Sequence, residues 1–340
     1  MTIVKNIAAV FCLISLTLAA GSALAAPTID CSKTNNDQAV VQGAINAASK
    51  GDTVRLKGVC EGVSLVIAKS GISVVGPAEL HGVPDKVVLA VRDADTVTLR
   101  DLTVSGGTIG LEVNSARVAA VDFTSEHNSQ YGISSVGVGA LGCVNCTANN
   151  NATGLLTTGY TSLCGHSVFN DNTADGAFGF LGAQIFMMKS VCGDTPTLTM
   201  SRNGMGLHLF GNVSMFAQES TIEATQNRGL GILAVDNVVL TVLKSEVNVS
   251  FNGNVGINMG ASSSVRLNDA AGGSTTIANN GSIGVVIGQS GQLNAQSVTL
   301  SNNTYRDLYV TGFSAAQFSG SNALGSVLCE VGKSTGSACP

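Results

Sequence analysis

The sequence predicts an all-β chain wound as a solenoid of short β-coils. Three observations predict it: a glycine-led segment recurring about every 25 residues, an asparagine recurring in phase with it, and a composition poor in charge. The segments begin at Gly110, Gly132, Gly154, Gly176, Gly206, Gly231, Gly256, Gly284 and Asp307, at intervals of 22, 22, 22, 30, 25, 25, 28 and 23 residues. Four residues before seven of the nine starts stands Asn128, Asn150, Asn172, Asn227, Asn252, Asn280 or Asn303. Charged residues make up 11% of the chain, with 41 glycines, five prolines and no tryptophan. Ordinary globular domains carry about 25% charged residues. A polar but nearly uncharged surface suits stacked β-coils better than a helical fold.

Each coil is expected to hold two or three strands of four to six residues, hydrogen-bonded to their equivalents one coil above and below, about 4.8 Å apart. Alternation sends every second side chain inward. Leu111 and Val113, Leu155 and Thr157, Leu207 and Leu209, Ile232 and Ala234, Ile257 and Met259, and Leu308 and Val310 are therefore the expected inner stacks. The glycine fits a sharp corner. The asparagine fits a turn with left-handed backbone, and its amide can bond its stacked neighbours, so the ladder follows from backbone chemistry without a ligand.

Residues 36–48, "NDQAVVQGAINAA", carry an apolar helical stripe of Val40, Val41, Ala44, Ile45 and Ala48, with Asn36 as N-cap. A helix there covers the open edge of the first coil. At the other end, Cys329 and Cys339 are placed to pin the tail. The N-terminus reads as a secretory leader: Lys5, an apolar run over 7–20, and the small-residue box Ala23-Leu24-Ala25. This divides the chain into a signal peptide, 1–26, and a single β-helix domain, 27–340. No later stretch reaches the roughly 18 apolar residues of a membrane span. Removing the leader removes Cys12 and leaves eight cysteines, an even number for an oxidising compartment, secreted or periplasmic. The mature chain holds 16 basic and 22 acidic residues, a net charge of −6, which argues against nucleic acid as a partner.

Residues 39–76, "AVVQGAINAASKGDTVRLKGVCEGVSLVIAKSGISVVG", resemble the opening of the pectin-lyase-like proteins, where a helix precedes "GDTV", a strand and a "GI.V.G" coil. Residues 94–107, "ADTVTLRDLTVSGG", resemble their next coil. The resemblance covers nearly the whole mature chain and implies a right-handed parallel β-helix, here of about eleven coils with an N-terminal capping helix. It is specific for fold and weak for function, since the family includes polysaccharide lyases, hydrolases, epimerases, tailspikes and binding proteins.

The enzymes of that group work through clustered carboxylates, with calcium and a basic residue in the lyases. No complete set is present. The chain lacks an Asp-Asp pair and an Asp-Pro-His, and Gly165-His166-Ser167 is the nearest approach to Gly-His-Gly. Asp93-Ala94-Asp95 reads as a polar turn, and Asp101, Asp122 and Asn145, nine or ten residues before a repeat glycine, as corner residues. His81, His127, His166 and His208 lie 46, 39 and 42 residues apart, without metal-ligand spacing.

Aligned coils give two outward columns. One contains Ala90, Glu112, Ser134, Leu156, Phe178, His208, Leu233, Asn258, Val286 and Tyr309. The other contains Arg92, Asn114, Val136, Thr158, Phe180, Phe210, Val235, Gly260, Gly288 and Thr311. Neither sets two carboxylates side by side. Arg92, Glu112 and Asn114 form the one charged cluster, read either as a surface ion pair or as a ligand contact. Phe178, Phe180, His208 and Phe210 read either as an aromatic platform for sugar rings or as a covered patch, with Phe178 and Phe180 open to a one-residue shift across the 30-residue interval. The expected disulfides are Cys31–Cys60, Cys164–Cys192, Cys329–Cys339 and Cys143–Cys146, the last in place of redox chemistry or zinc.

Three functions remain. The first is an exported protein that binds a polysaccharide or cell-surface glycan along its flank, without metal or cofactor, through Arg92, Glu112, Asn114, His208 and Phe210. The second is a lyase or related enzyme on a uronic-acid polymer, with calcium as its cofactor. The third is a structural or adhesin-like surface protein.

Overall fold

The computed structural model describes residues 28–34, 36–268, 272–330, 334, 335 and 339; the leader and Cys12 lie outside the described residues. The chain divides into two compact units, Met1–Leu163 and Cys164–Pro340. Each is a parallel β-solenoid. In each, one sheet takes a single strand per turn. In the first unit these strands are Leu65–Ile67, Val87–Arg92, Ile109–Asn114, Tyr131–Val136 and Thr153–Thr157. In the second they are Asp175–Phe180, Met205–Phe210, Ile232–Val235, Ile257–Gly260, Ile283–Ile287, Arg306–Val310 and Val327–Cys329. Five turns and seven, among the described residues, compare with about eleven expected. The rest of each turn forms the second sheet, as in Ser214–Gln218 and Thr221–Thr225.

The expected inner positions are all buried, from Leu111 and Val113 at 0% exposure to Ile232 at 1%. Apolar residues at equivalent positions face one another across coils: Leu207 pairs with Ile232 and Leu209 with Ala234, and Ile232 with Ile257 and Ala234 with Met259. Asp101, Asp122 and Asn145 adopt φ of 53°, 49° and 54°, the left-handed corners expected of them.

Helix α1, Asp37–Ala47, starts where the sequence places it, with the Asn36 carboxamide accepting from the Ala39 amide at 3.2 Å. Val41, Ile45 and Ala48 are buried, whereas Val40 stays 42% exposed, so the buried stripe is narrower than the apolar one. The helix caps the sheet chemically as well as sterically. Gln38 and Gln42, one helical turn apart, each lay a carboxamide against the first strand. Gln38 pairs with both backbone groups of Ser64 (2.6 and 3.0 Å) and Gln42 with both of Val66 (2.8 and 2.9 Å). The strand edge that would template chain-to-chain pairing is thereby occupied. The other sheet begins with the short strand Thr28–Asp30, paired to Thr53–Val63 and followed by the Cys31–Cys60 disulfide.

The asparagine ladder is present with two corrections. The buried members are Asn128 and Asn151 in the first unit, and Asn172, Asn203, Asn227, Asn252, Asn280 and Asn303 in the second. Asn150 itself is exposed, and Asn203 belongs to the ladder although it lies three residues before its glycine. The left-handed residue is the one before each ladder asparagine: His127, Asn150, Asp171, Arg202, Gln226, Phe251, Asn279 and Asn302. That step turns the asparagine side chain into the stack, where its Oδ1 accepts and its Nδ2 donates along the coils. Asn203 Nδ2 donates to Asn227 Oδ1 at 3.2 Å, Asn227 to Asn252 at 2.9 Å, Asn252 to Asn280 at 3.0 Å and Asn280 to Asn303 at 2.8 Å.

The repeat glycine answers to this ladder. A Cβ on Gly231 would lie 2.7 Å from Asn252 Nδ2, and one on Gly256 2.7 Å from Asn280 Nδ2. Close approach, with no left-handed φ, demands glycine here. At the last repeat Asp307 stands in the glycine's place, and its Oδ1 accepts from Asn303 Nδ2 at 2.7 Å, ending the ladder. Its other oxygen accepts from the Ser326 amide at 2.8 Å. Burial opposes ionisation, but the donors on Asn303 and Ser326 outweigh it and hold the carboxyl below the ordinary carboxylate range.

Asn227→Ala strands the Asn203 donors and the Met200 carbonyl, so its denaturant midpoint should fall by the equivalent of about 2–4 kcal/mol. Asn294→Ala, on the outer face, should stay within about 0.5 kcal/mol. Because the folded pKa of Asp307 is depressed, its contribution is full above its unfolded value of about 3.9 and is lost as pH falls through the lower folded value. Hydrogen exchange over residues 303–310, corrected for intrinsic rates, should therefore accelerate relative to residues 227–235 as pH falls below about 4. Asp307→Asn should remove that pH dependence.

Candidate functional site

In the first unit, Val87–Arg92 and Ile109–Asn114 run in parallel, with Ala90 opposite Glu112 and Arg92 opposite Asn114. Ala90 is small enough for the Arg92 side chain to cross diagonally to Glu112, and the pair closes in two bonds: Nε to Oε1 at 3.2 Å and a terminal nitrogen to Oε2 at 2.9 Å. The Glu112 side chain is 13% exposed and the Arg92 side chain 46%. The hydrogen-bonded carboxylate raises the Arg92 pKa above its ordinary value, so this guanidinium stays protonated. Asn114 stands beside it and accepts from the Ser115 hydroxyl at 3.3 Å. The next turn offers Ser134 and Val136 opposite Glu112 and Asn114, so no second carboxylate joins the column. Asp93, at φ 49°, is the turn residue the sequence suggested, and Asp95 lies 3.7 Å from the Arg117 guanidinium.

In the second unit, Phe178 and Phe180 point outward and are half-buried, while Ala177 and Gly179 line the interior; the one-residue shift does not occur. The extra length of the 30-residue interval is taken up between Met188 and Thr197 by the short helix α2, Lys189–Cys192, tied to Cys164 by a disulfide. Phe178 pairs with His208 and Phe180 with Phe210 in the next coil. The rings of Phe178 and His208 stack at 4.5 Å, and those of Phe180 and Phe210 at 5.8 Å. Each ring thus gives one face to its neighbour along the coil axis. The outward surface is built from ring edges, with Phe210 the most open at 38%.

Sequence reasoning missed Asp175. It precedes Gly176, and its Oδ1 lies 3.4 Å from His208 Nδ1 one coil on, both atoms buried and neither engaged in a hydrogen bond. The buried Nδ1 leaves Nε2 as the nitrogen toward the outer surface. The contact is diagonal, joining the residue before one repeat glycine to the second residue after the next. The signal was present in the alignment but crosses its longest interval.

The remaining candidates do not gather. His81 lies between Glu61 (3.0 Å) and Glu79 (3.5 Å), all exposed. No group of three His, Cys, Asp or Glu side chains arranged to hold a metal ion occurs among the described residues. Three expected disulfides are present, Cys31–Cys60, Cys164–Cys192 and Cys329–Cys339. The fourth is not: Cys143 and Cys146 are free thiols, both buried. They flank the left-handed corner at Asn145, which turns both inward as thiols, and Cys146 Sγ donates to the Ala120 carbonyl at 3.7 Å. Burial pushes the Cys146 thiol well up, and the neighbouring Cys143 adds to it, opposite to what a reactive cysteine requires.

Among solved structures, the A-module of mannuronan C-5 epimerase AlgE4 from Azotobacter vinelandii superposes with a TM-score of 0.63 at 16% identity, covering 89% of this chain and 96% of that one. The fold is a right-handed parallel β-helix. The AlgE6 A-module from the same organism gives a TM-score of 0.54 at 14% identity, over 91% of this chain and 98% of that one. No protein-family profile and no curated protein matches the sequence. At these identities the β-helix likeness is one of fold. No helix among the described residues is long and apolar enough to cross a membrane.

Iodoacetamide should label neither Cys143 nor Cys146 in the native chain from residue 27 onward, and both in guanidinium without reductant. A mass shift of two adducts checks it; no adducts would restore the fourth disulfide.

Proposed function

We propose that this β-helix is exported and binds a glycan, without turning it over, on the outer face of the one-strand sheet of its second unit. The observation that carries the reading is the contrast between that unit's outer faces. The two-strand sheet presents Thr197, Thr199, Thr221 and Glu223 in register. The one-strand sheet presents Phe178, Phe180, His208, Phe210, Leu233 and Val235, half-exposed and nearly uncharged. A contiguous apolar strip on an otherwise hydrophilic protein marks an interaction surface, and aromatic edges with one imidazole suit the mixed C–H and hydroxyl faces of sugars. Three disulfides support an oxidising compartment, secreted or periplasmic. Arg92, Glu112 and Asn114 enter only as hydrogen-bonding contacts, because the guanidinium is already engaged by Glu112.

One observation favours the lyase alternative. Asp175 lies 3.4 Å from the buried His208 Nδ1, and Nε2 is left as the outward nitrogen, where a general base would need it. Against it stands the lack, among the described residues, of a free cation or metal cluster beside His208 to neutralise a uronate.

In affinity gels cast with a panel of polysaccharides, the mature chain should be retarded by at least one, and Phe210→Ala should weaken that retardation about 10-fold. Appearance of unsaturated ends from a uronic-acid polymer, lost in a His208→Ala variant, would replace binding with the lyase.

A further inference from the structure

The outer column of the second unit runs Phe178, His208, Leu233, Asn258, Val286 and Tyr309, each the register partner of the next. Apolar and polar residues alternate along it without exception. His208 offers Nε2, since Nδ1 is turned to Asp175. The Asn258 carboxamide and the Tyr309 hydroxyl make no hydrogen bond to the described residues, and both side chains are half-exposed. Stacked strands lie about 4.8 Å apart, so a polar handle recurs roughly every 9.6 Å with a hydrocarbon surface between handles. Beside the column stand Phe180, Phe210, Val235 and Gly260, falling from aromatic ring to bare backbone.

Charge defines the ligand further. Two formally charged side chains of these strands lie near this face, one of them buried. Asp175 faces His208, and Arg306 lies 5.0 Å over the Tyr305 ring and donates to the Tyr305 carbonyl at 2.9 Å. Nothing along the column is placed to balance a carboxylate on every sugar. The periodicity is the other half of the argument. In an extended β-1,4-linked hexose chain successive residues turn over, so one edge presents the same hydroxyls once per disaccharide, a length close to two rungs. An α-1,4-linked chain coils and loses that match.

Resting on the glycan-binding reading above, we propose that this column is the track for an uncharged, extended β-1,4-linked hexose polymer lying along the coil axis. His208, Asn258 and Tyr309 take one hydroxyl edge, and Phe178, Leu233 and Val286 take the C–H faces between.

The test is calorimetric titration of the mature chain with cellohexaose, maltohexaose and hexagalacturonate. Cellohexaose should bind, with affinity rising from the disaccharide up to about five residues, because the track is roughly 24 Å long. Asn258→Ala and Tyr309→Phe should each weaken it about 2- to 10-fold at unchanged denaturant midpoint. Hexagalacturonate binding while cellohexaose is silent would overturn the uncharged track but leave a glycan-binding flank standing. Equal affinity for maltohexaose would overturn the periodic match, and cellohexaose binding unmoved in both variants would overturn the column. If none of the three binds and the polysaccharide gels show no retardation, the glycan reading falls and the track with it.

Discussion

Turning a chain inward at every coil buries amides and carbonyls that no neighbour in sequence can reach. The asparagine side chain resolves this, because one carboxamide donates and accepts in the direction of stacking. Asn227 shows the economy of the arrangement. Its Oδ1 receives both the amide and Nδ2 of Asn203, while its own Nδ2 reaches back to the Met200 carbonyl and forward to Asn252. A ladder of such groups is cooperative in the sense that each member satisfies its neighbour's otherwise unpaired polar atoms. The rest of the fold adapts to it: glycine where the next coil's amide needs room, and a left-handed residue just before each member to aim it inward.

Asp307 makes the dependence visible from the other side. Everywhere else in the second unit the repeat position is glycine because an asparagine amide from the following coil occupies the space of a Cβ. At the last repeat that following asparagine is missing. A side chain then becomes possible, and a carboxylate serves best, because it accepts from Asn303 and needs no partner beyond Ser326. In the first unit the same logic gives α1 its two glutamines, whose carboxamides imitate a strand for Ser64 and Val66. In each unit a side chain copies backbone hydrogen bonding.

This explains what was legible in the sequence. A ladder with its glycine is a constraint on residue type at fixed spacing, so coil number, the inner stacks such as Leu207 and Leu209, and the outward columns all followed from it. The N-cap at Asn36 was legible because capping is local. Asn150 was mistaken for Asn151 because a left-handed corner also favours asparagine, and two adjacent asparagines satisfied both roles. Cys143 and Cys146 misled because spacing permits a bridge that the corner at Asn145 does not make. Asp175 was invisible for a different reason. Its partner His208 lies 33 positions away, beyond an insertion, and only the stacked geometry brings the two atoms to 3.4 Å.

The outer faces carry none of these constraints, which is why function is harder to read than fold. A residue there answers only to its partner one coil away and to whatever lies against it. Arg92 and Glu112 satisfy each other, so their chemistry turns inward on the protein. The column from Phe178 to Tyr309 behaves differently: its aromatic pair closes one end, but Asn258 and Tyr309 keep polar groups that nothing in the fold requires. Alternation over six coils does not arise from stacking, since stacking favours like beside like, as the inner columns show. An outer column that alternates instead of repeating is what the proposed track requires, since its ligand repeats at twice the rung spacing of the coil.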